Sequence, residues 1–418
     1  MSFEKKIALF YTFGALLNKA IPFLLLPFYT RVMTVEDFGI YGIFMSLFSL
    51  SAVFVGLKPN TYIVKELSSK TNRAKDTHYI IVACFIIIPL SAFVVSPFIF
   101  FITKLSFDNE FNHFFAFVCI VILSVLQALR VVVESVYQAN NKVFKVLVLQ
   151  ISVTLISAIF VFITYFFVGI SWEERVLAEV SAAVFVSLIM FYFFQFNFRR
   201  FRRKLLKLKV IDSAKFLTPL VWHSLSVVVL NLSDRLILNY YFGQQVVGKY
   251  IAAYTISMVC GVVFDAVIRA WSPYFFANAK KSKHSELIVF RGSIYLSLLA
   301  LFLGALVAIV LSNIYSLILP DSYSGLSMLI IIISFAYSIE GVRKFFCCYL
   351  YLSNSTKFIA SLSLFTAFCN LILNFIFVPT FSDVGAAATT LISFLFMTCV
   401  TMVFSLKKRK ELLELEVS

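Results

Sequence analysis

Charge is scarce in this sequence. Only 14% of its 418 residues are Asp, Glu, Lys or Arg, against about 25% in soluble domains, and 61% are hydrophobic. That balance excludes an ordinary soluble enzyme. The 50 Phe exclude disorder, because disordered chains are poor in aromatics. Acidic residues are fewer still: 21 against 36 Lys and Arg, a formal net charge of +15. A basic excess points to nucleic acid or to a membrane surface. In a chain this apolar the membrane is expected, with no nucleic-acid partner. Paired cysteine spacings are missing. The seven Cys (84, 119, 260, 347, 348, 369 and 399) lie in apolar runs, with no CxxC or Cys/His spacing. This argues against a disulfide framework or a zinc site and for buried small hydrophobes. GxxxxGK(S/T), HExxH and GxSxG are absent as well. The chain therefore carries no ATP-hydrolysing loop and no nucleophile elbow, and it is expected not to be an enzyme.

What is present is a series of apolar runs. A bilayer-spanning helix needs about 20 mostly apolar residues. Twelve stretches qualify, at 7–29, 38–57, 79–103, 112–137, 146–170, 176–198, 216–238, 250–268, 292–314, 325–351, 358–378 and 384–406. Continuous runs rather than period-2 alternation imply helices and not a β-barrel. The first run is no signal peptide, since it is long and carries Asn18, Lys19, Pro22 and Pro27. With the N-terminus in the cytoplasm, the inside segments hold 27 of the basic residues and the outside segments only Arg31, Lys104, Arg175 and Lys249. By the positive-inside rule both termini are cytoplasmic. The run FRRFRRKLLKLK (198–209) then reads as a topology anchor, although alone it resembles a lipid- or nucleic-acid-binding patch.

That basic loop nearly bisects the chain. The expected organisation is an N-terminal six-helix bundle (1–198), a basic cytoplasmic linker (199–215), a C-terminal six-helix bundle (216–406) and a cytoplasmic tail (407–418). Two halves of six spans enter the membrane in the same orientation, which permits a parallel repeat about a pseudo-twofold axis along the membrane normal. Traces of a repeat are visible. Gly39-Ile40-Tyr41, opening span 2, matches Gly248-Lys249-Tyr250, opening span 8. Tyr137 and Asn140 after span 4 match Tyr351 and Asn354 after span 10, and on that register Arg130 aligns with Lys344. Such repeats suit alternating access.

Ten ionisable residues fall inside the spans: Lys19, Arg130, Glu134, Glu179, Asp234, Arg235, Asp265, Glu340, Arg343 and Lys344. Each costs about 2.5–3.5 kcal/mol on the insertion scale and suggests function. Arg130 and Glu134, four apart, share a helix face with Gln127 and Gln138. They are either a cavity lining or a pair that neutralises itself. Glu340, Arg343 and Lys344 form a second stripe with one cation in surplus. Asp234 and Arg235 point about 100° apart and are expected to bond different neighbours, in a structural or gating role. Asp265 and Arg269 close span 8 as a gate or an interfacial pair. Lys19, beside Asn18 and before two helix-breaking prolines, is the leading candidate for a cation that binds an anionic substrate, with a carboxylate such as Glu134 as its alternative partner. His223 in span 7 reads as a proton carrier or as a packed core histidine.

Three stretches carry a family resemblance. NKAIPFLLLPFYTRVMTVEDFGIYGIFMSL (18–47) resembles the opening of bacterial polysaccharide exporters of the Wzx type, with a Pro-bent first span and an "fGxy" start to span 2. SDRLILNYYFGQQVVGKYIAAYTIS (233–257) is similar to their span 7–8 signature, "DRxxlxxxxgxxxvGxYxxA". CNLILNFIFVPTFSDVGAAATTLISF (369–394) is similar to their span 11–12 signature, "NxxLNxxxxPxxGxxGAAxaT". It departs at Phe381-Ser382-Asp383, where the family often has glycine. The last two signatures are shared across multidrug exporters, lipid II flippases and oligosaccharide flippases. With the twelve spans, the resemblance covers essentially the whole chain.

The resemblance implies a flippase for undecaprenyl-diphosphate-linked oligosaccharide, usually the O-antigen repeat unit, in the bacterial inner membrane. A polysaccharide polymerase and a chain-length regulator would be its partners. Lys19, Arg130, Arg343 and Lys344, with Asn18, would line a cationic cavity for the diphosphate. Glu134, Asp265 and Glu340 would couple the cycle to protons or Na+, with Asp234 and Arg235 as gating candidates. A multidrug or cation antiporter of the same superfamily is the alternative, and should show a carboxylate-dominated cavity. An O-antigen polymerase or ligase would need a large periplasmic loop rich in arginine, which the short outside segments do not supply.

Overall fold

A computed structural model describes residues 20–68, 74–107, 109–140, 142–167, 169–194, 203–279 and 282–415. Asn18 and Lys19 lie outside the described residues, as does the side chain of His223. The described residues are helical and contain no strand. The helices are α1 (Ala20–Val32), α2 (Val35–Gly56), α3 (Pro59–Ser68), α4 (Ala74–Ser106), α5 (Glu110–Ala139), α6 (Val143–Phe167), α7 (Trp172–Phe194), α8 (Arg203–Asn278), α9 (Lys283–Ile318), α10 (Ser327–Leu352) and α11 (Thr356–Leu415).

Two of these are double spans. A straight helix of the 76 residues of α8 would reach about 110 Å at 1.5 Å per residue, several times a hydrocarbon core of about 30 Å. It is broken at Gly243, which has φ 76° and ψ −177°. The 60-residue α11 is broken at Ser382, with φ 53° and ψ −134°. Counting each half once, and α3 not at all, the described residues form twelve helices, the number of spans expected from the sequence. The protein is an all-α multi-pass membrane protein. Its large apolar side chains are exposed in many places, among them Phe93, Phe167, Tyr192, Phe193 and Leu317. In water such a surface would drive association; in a bilayer it faces lipid.

Ends are set by local chemistry. Thr34 caps α2: its Oγ1 accepts from Asp37 N (3.0 Å) and donates to Asp37 Oδ2 (2.6 Å), as an N-cap threonine does. Ser171 and Glu174 form a capping box at α7, with Ser171 N donating to the carboxylate at 2.9 Å. The basic segment expected as a linker is helical from Arg203 and runs on into span 7.

The chain divides into two compact units. One holds residues 32–228; the other holds residues 22–31 with 229–418. In the first unit α5 is the hub, packed against α2, α3, α4, α6 and α7. Its apolar core joins Val55, Ile63, Ile80, Cys84, Ile88, Val132 and Val136. In the second unit α10 is the hub, packed against α9 and α11, with Phe264, Ala300, Phe345 and Phe346 in its core. The two hub helices are spans 4 and 10, which the sequence repeat pairs.

Candidate functional site

In the first unit, α5 places Gln127, Arg130 and Glu134 along one stripe. Arg130 Nε lies 3.3 Å from Glu134 Oε1, both mostly buried. The pair does not fill its surroundings. Gln127 and Arg130 line a cavity of about 130 Å³ with Thr154, Glu179 and Ser187. The cavity is thus built from helix positions on α2, α5, α6 and α7. The Arg130–Glu134 stripe is thus an ion pair whose cation borders open space.

Glu179 reaches that cavity through a buried cluster at the start of α7. Trp172 is 2% exposed and sits between Phe107 and Phe115, at ring-centroid distances of 5.6 and 5.5 Å. This wedge fixes the first turn of α7. One turn on, Arg175 donates to Ser157 Oγ (2.8 Å) and lies 4.8 Å from the Tyr41 ring. It also stands 3.9 Å from Glu179, which accepts from Tyr41 Oη at 2.7 Å. Arg175, assigned by its sequence position to an outside loop, is in fact buried.

A second, larger cavity of about 330 Å³ adjoins the first. The two share Phe48 and Gln127, and the larger is lined in addition by Ser49, Lys58, Asn60 and Ser124.

The second unit is differently arranged. Arg343 grips Glu340 with two hydrogen bonds, Nε to Oε2 at 2.6 Å and Nη2 to Oε1 at 2.5 Å. Lys344 Nζ donates to Asp265 Oδ1 of α8 at 2.7 Å. The cation surplus expected on span 10 is thus neutralised from a neighbouring helix, a contact that spacing within one span could not reveal. Asp234 and Arg235 bond different neighbours, as their spacing requires. Asp234 Oδ2 accepts from Tyr250 Oη at 2.6 Å, and Arg235 lies 5.1 Å from the Tyr254 ring. Tyr41 and Tyr250, paired by the sequence repeat, therefore each donate to a carboxylate in their own unit.

Sequence reasoning missed a third cluster. Glu286 of α9 is 5% exposed. It accepts two bonds from Arg409 (2.7 and 3.0 Å) and one from Tyr349 Oη (2.9 Å). Arg409 also covers the Phe290 ring at 3.7 Å. In the sequence Arg409 is one of four residues in a basic tail. The hydrogen bonds to Glu286 hold its guanidinium pKa above the ordinary value.

The glycine- and asparagine-rich signatures close hairpins. Between the two halves of α11, Asn370 donates to Ser393 Oγ (3.0 Å), Asn374 donates to Asn370 Oδ1 (3.0 Å), and Thr389 donates to Asn374 Oδ1 (2.6 Å). All four are buried. In a bilayer an unsatisfied amide has no water to turn to, so the network is self-contained. Gly385 lets the two arms of this hairpin approach: a Cβ there would collide with the Phe377 carbonyl oxygen.

Solved membrane-transporter structures share this fold. The lipid II flippase MurJ in its inward closed conformation superposes with a TM-score of 0.74 at 14% identity, covering 98% of this chain and 90% of that one. An inward-facing multidrug resistance MATE family transporter gives 0.73 at 13% identity, covering 96% of each. In sequence, residues 5–279 match the family described as Polysaccharide biosynthesis protein. The chain belongs to that family. Lsg locus putative protein 1 of Haemophilus influenzae is 25% identical over 290 residues, covering 66% of this chain and 67% of that protein.

Proposed function

We propose that this protein is a flippase for an undecaprenyl-diphosphate-linked oligosaccharide, the O-antigen repeat unit. It moves the glycan head from the cytoplasmic to the periplasmic leaflet of the bacterial inner membrane by alternating access. The observation that carries this reading is Arg130. It is a cation deep in a polysaccharide-biosynthesis chain, bordering a cavity lined by the hydroxyls and amide of Thr154, Ser187 and Gln127. A diphosphate needs the cation, and a sugar needs the donors and acceptors beside it. The lipid tail stays in the bilayer, so only the head requires a polar path. Lys19 and Asn18 remain proposed ligands of the same substrate. An ion gradient of protons or Na+ drives the cycle in this reading, through Glu134, Asp265 and Glu340, and no other cofactor is invoked. Both termini are cytoplasmic, and the polymerase and chain-length regulator act on the product.

The test is transfer in proteoliposomes. A radiolabelled prenyl-diphosphate oligosaccharide loaded on one face should become accessible to a membrane-impermeant glycosidase on the other. Transfer no faster than in empty liposomes would refute the reading. The alternative, a multidrug or cation antiporter, calls for a carboxylate-dominated cavity, and the balanced pairs of Arg130, Arg343 and Lys344 with carboxylates do not supply one. Efflux of a lipophilic cation from the same vesicles, with no glycan transfer, would select that alternative.

A further inference from the structure

The turn between α2 and α3 contains an unusual pair. Leu57 and Lys58 both have positive φ, 51° and 52°, a conformation strained for any L side chain. Leu57 has a local reason. It is the left-handed cap of α2, with its N–H bonded to the Val53 carbonyl, although glycine is the usual residue there. Ending the helix needs only one such residue, so nothing in the termination of α2 calls for the second.

What the second achieves is placement. Lys58, an exposed side chain, lines the 330 Å³ cavity together with Asn60 and Gln127. The side-chain oxygen of Gln127 is buried with no hydrogen-bond partner, and beyond it the same residue lines the cavity of Arg130. Lys58 makes no ion pair among the described residues. Partial desolvation lowers its ammonium pKa from the ordinary value. It follows the last turn of α2, an end that the positive-inside reading assigns to the cytoplasmic face.

We propose that Lys58 is the capture residue for the diphosphate of a lipid-linked substrate at the cytoplasmic face, from which the headgroup passes Gln127 to reach Arg130. This rests on the flippase reading. A lysine is suited to the first step, because its compact ammonium attracts an anion from any direction without the fixed fork of an arginine. Two cations separated by a neutral amide let the headgroup bind at each without being trapped at either.

The experiment measures binding of farnesyl diphosphate to the detergent-purified protein by isothermal titration. K58Q should weaken binding about tenfold or more. K58R should recover most of it, and K142Q, a cytoplasmic lysine that lines neither cavity, should match the wild type. Inorganic pyrophosphate should compete, and phosphatidylglycerol should not. Unchanged binding by K58Q, or equal losses in K58Q and K142Q, would overturn the proposal. So would displacement by phosphatidylglycerol, which would make the site one for bulk anionic lipid, or failure of pyrophosphate to compete. The flippase reading fails separately. If farnesyl diphosphate binds through Lys58 but the wild type flips no glycan, that reading falls and the site stands. If the wild type flips and K58Q flips at the same rate, Lys58 has no capture role.

Discussion

Tyr250 Oη donates a 2.6 Å hydrogen bond to Asp234 Oδ2, joining the two halves of α8 across the break at Gly243. Asp234 is 2% exposed, so the bond holds a charged group away from both water and lipid. The hairpin is thereby fixed by a contact between residues that the sequence separates by sixteen positions.

Tyr250→Phe should lower stability by about 1–3 kcal/mol, because it strips a partner from a buried carboxylate. Asp234→Asn combined with Tyr250→Phe should cost less than the sum of the single changes. Thermal unfolding of the detergent-solubilised variants measures both. Strict additivity would show that the bond carries no coupling.

The two helix breaks should respond in opposite directions. Ser382 holds φ 53° without being glycine, so Ser382→Gly should stabilise by roughly 1 kcal/mol. Gly243→Ala should destabilise by about as much from backbone strain alone, since a Cβ added there would meet nothing within 4 Å. Gly385→Ala should be the most damaging, because its Cβ would press on the Phe377 carbonyl. Melting temperatures in that order, Ser382→Gly above wild type and Gly385→Ala lowest, are the expected result.

Arg130→Ala should abolish surface polysaccharide in a deletion strain and also destabilise the protein. Removing one member of a buried ion pair strands the other, at about 3–5 kcal/mol. Arg130→Ala with Glu134→Gln removes that stranded charge. It should restore protein level on an immunoblot while the glycan ladder stays absent. A wild-type ladder in the double variant would remove Arg130 from the transport path.

Acid should loosen the start of α7. Glu174 carries a pKa below the ordinary glutamate value: partial burial opposes ionisation, but the bonds from the Ser171 hydroxyl and backbone N–H outweigh it. A carboxylate with a depressed folded-state pKa contributes stability above its unfolded value, about 4.3. That contribution disappears as the pH falls from there through the folded value. Hydrogen exchange of the first turn of α7 should therefore accelerate below about pH 4.3, and Glu174→Gln should remove most of that dependence. An unaltered pH profile in the variant would assign the effect to other groups.

Much of this was legible along the chain. Apolar run length gives the crossings, because a bilayer imposes its thickness on every helix. Lysine and arginine position gives the expected orientation. The breaks at Gly243 and Ser382 were seen only in the backbone. The Arg130–Glu134 stripe was readable because its residues share one helix face. The partners of Lys344 and Glu286 were not. Asp265 and Arg409 lie 79 and 123 positions away, on helices whose rotation a hydropathy pattern leaves open. Arg175 was hidden for the same reason, resembling a loop charge although it is buried.

The sequence by itself determined that this is a membrane protein of twelve helical crossings, that its basic excess collects in alternate segments between them, and that ten charges lie inside the spans. Those outcomes follow from composition and one-dimensional spacing against a slab of fixed thickness. Only the tertiary structure decided which charges meet. It pairs both cations of α10 with carboxylates. It opens the first unit's polar face into two adjoining cavities and sets Lys58 in the lining of one. Side-chain pairing depends on how neighbouring helices rotate and dock, and that is settled by packing between helices rather than within any one of them.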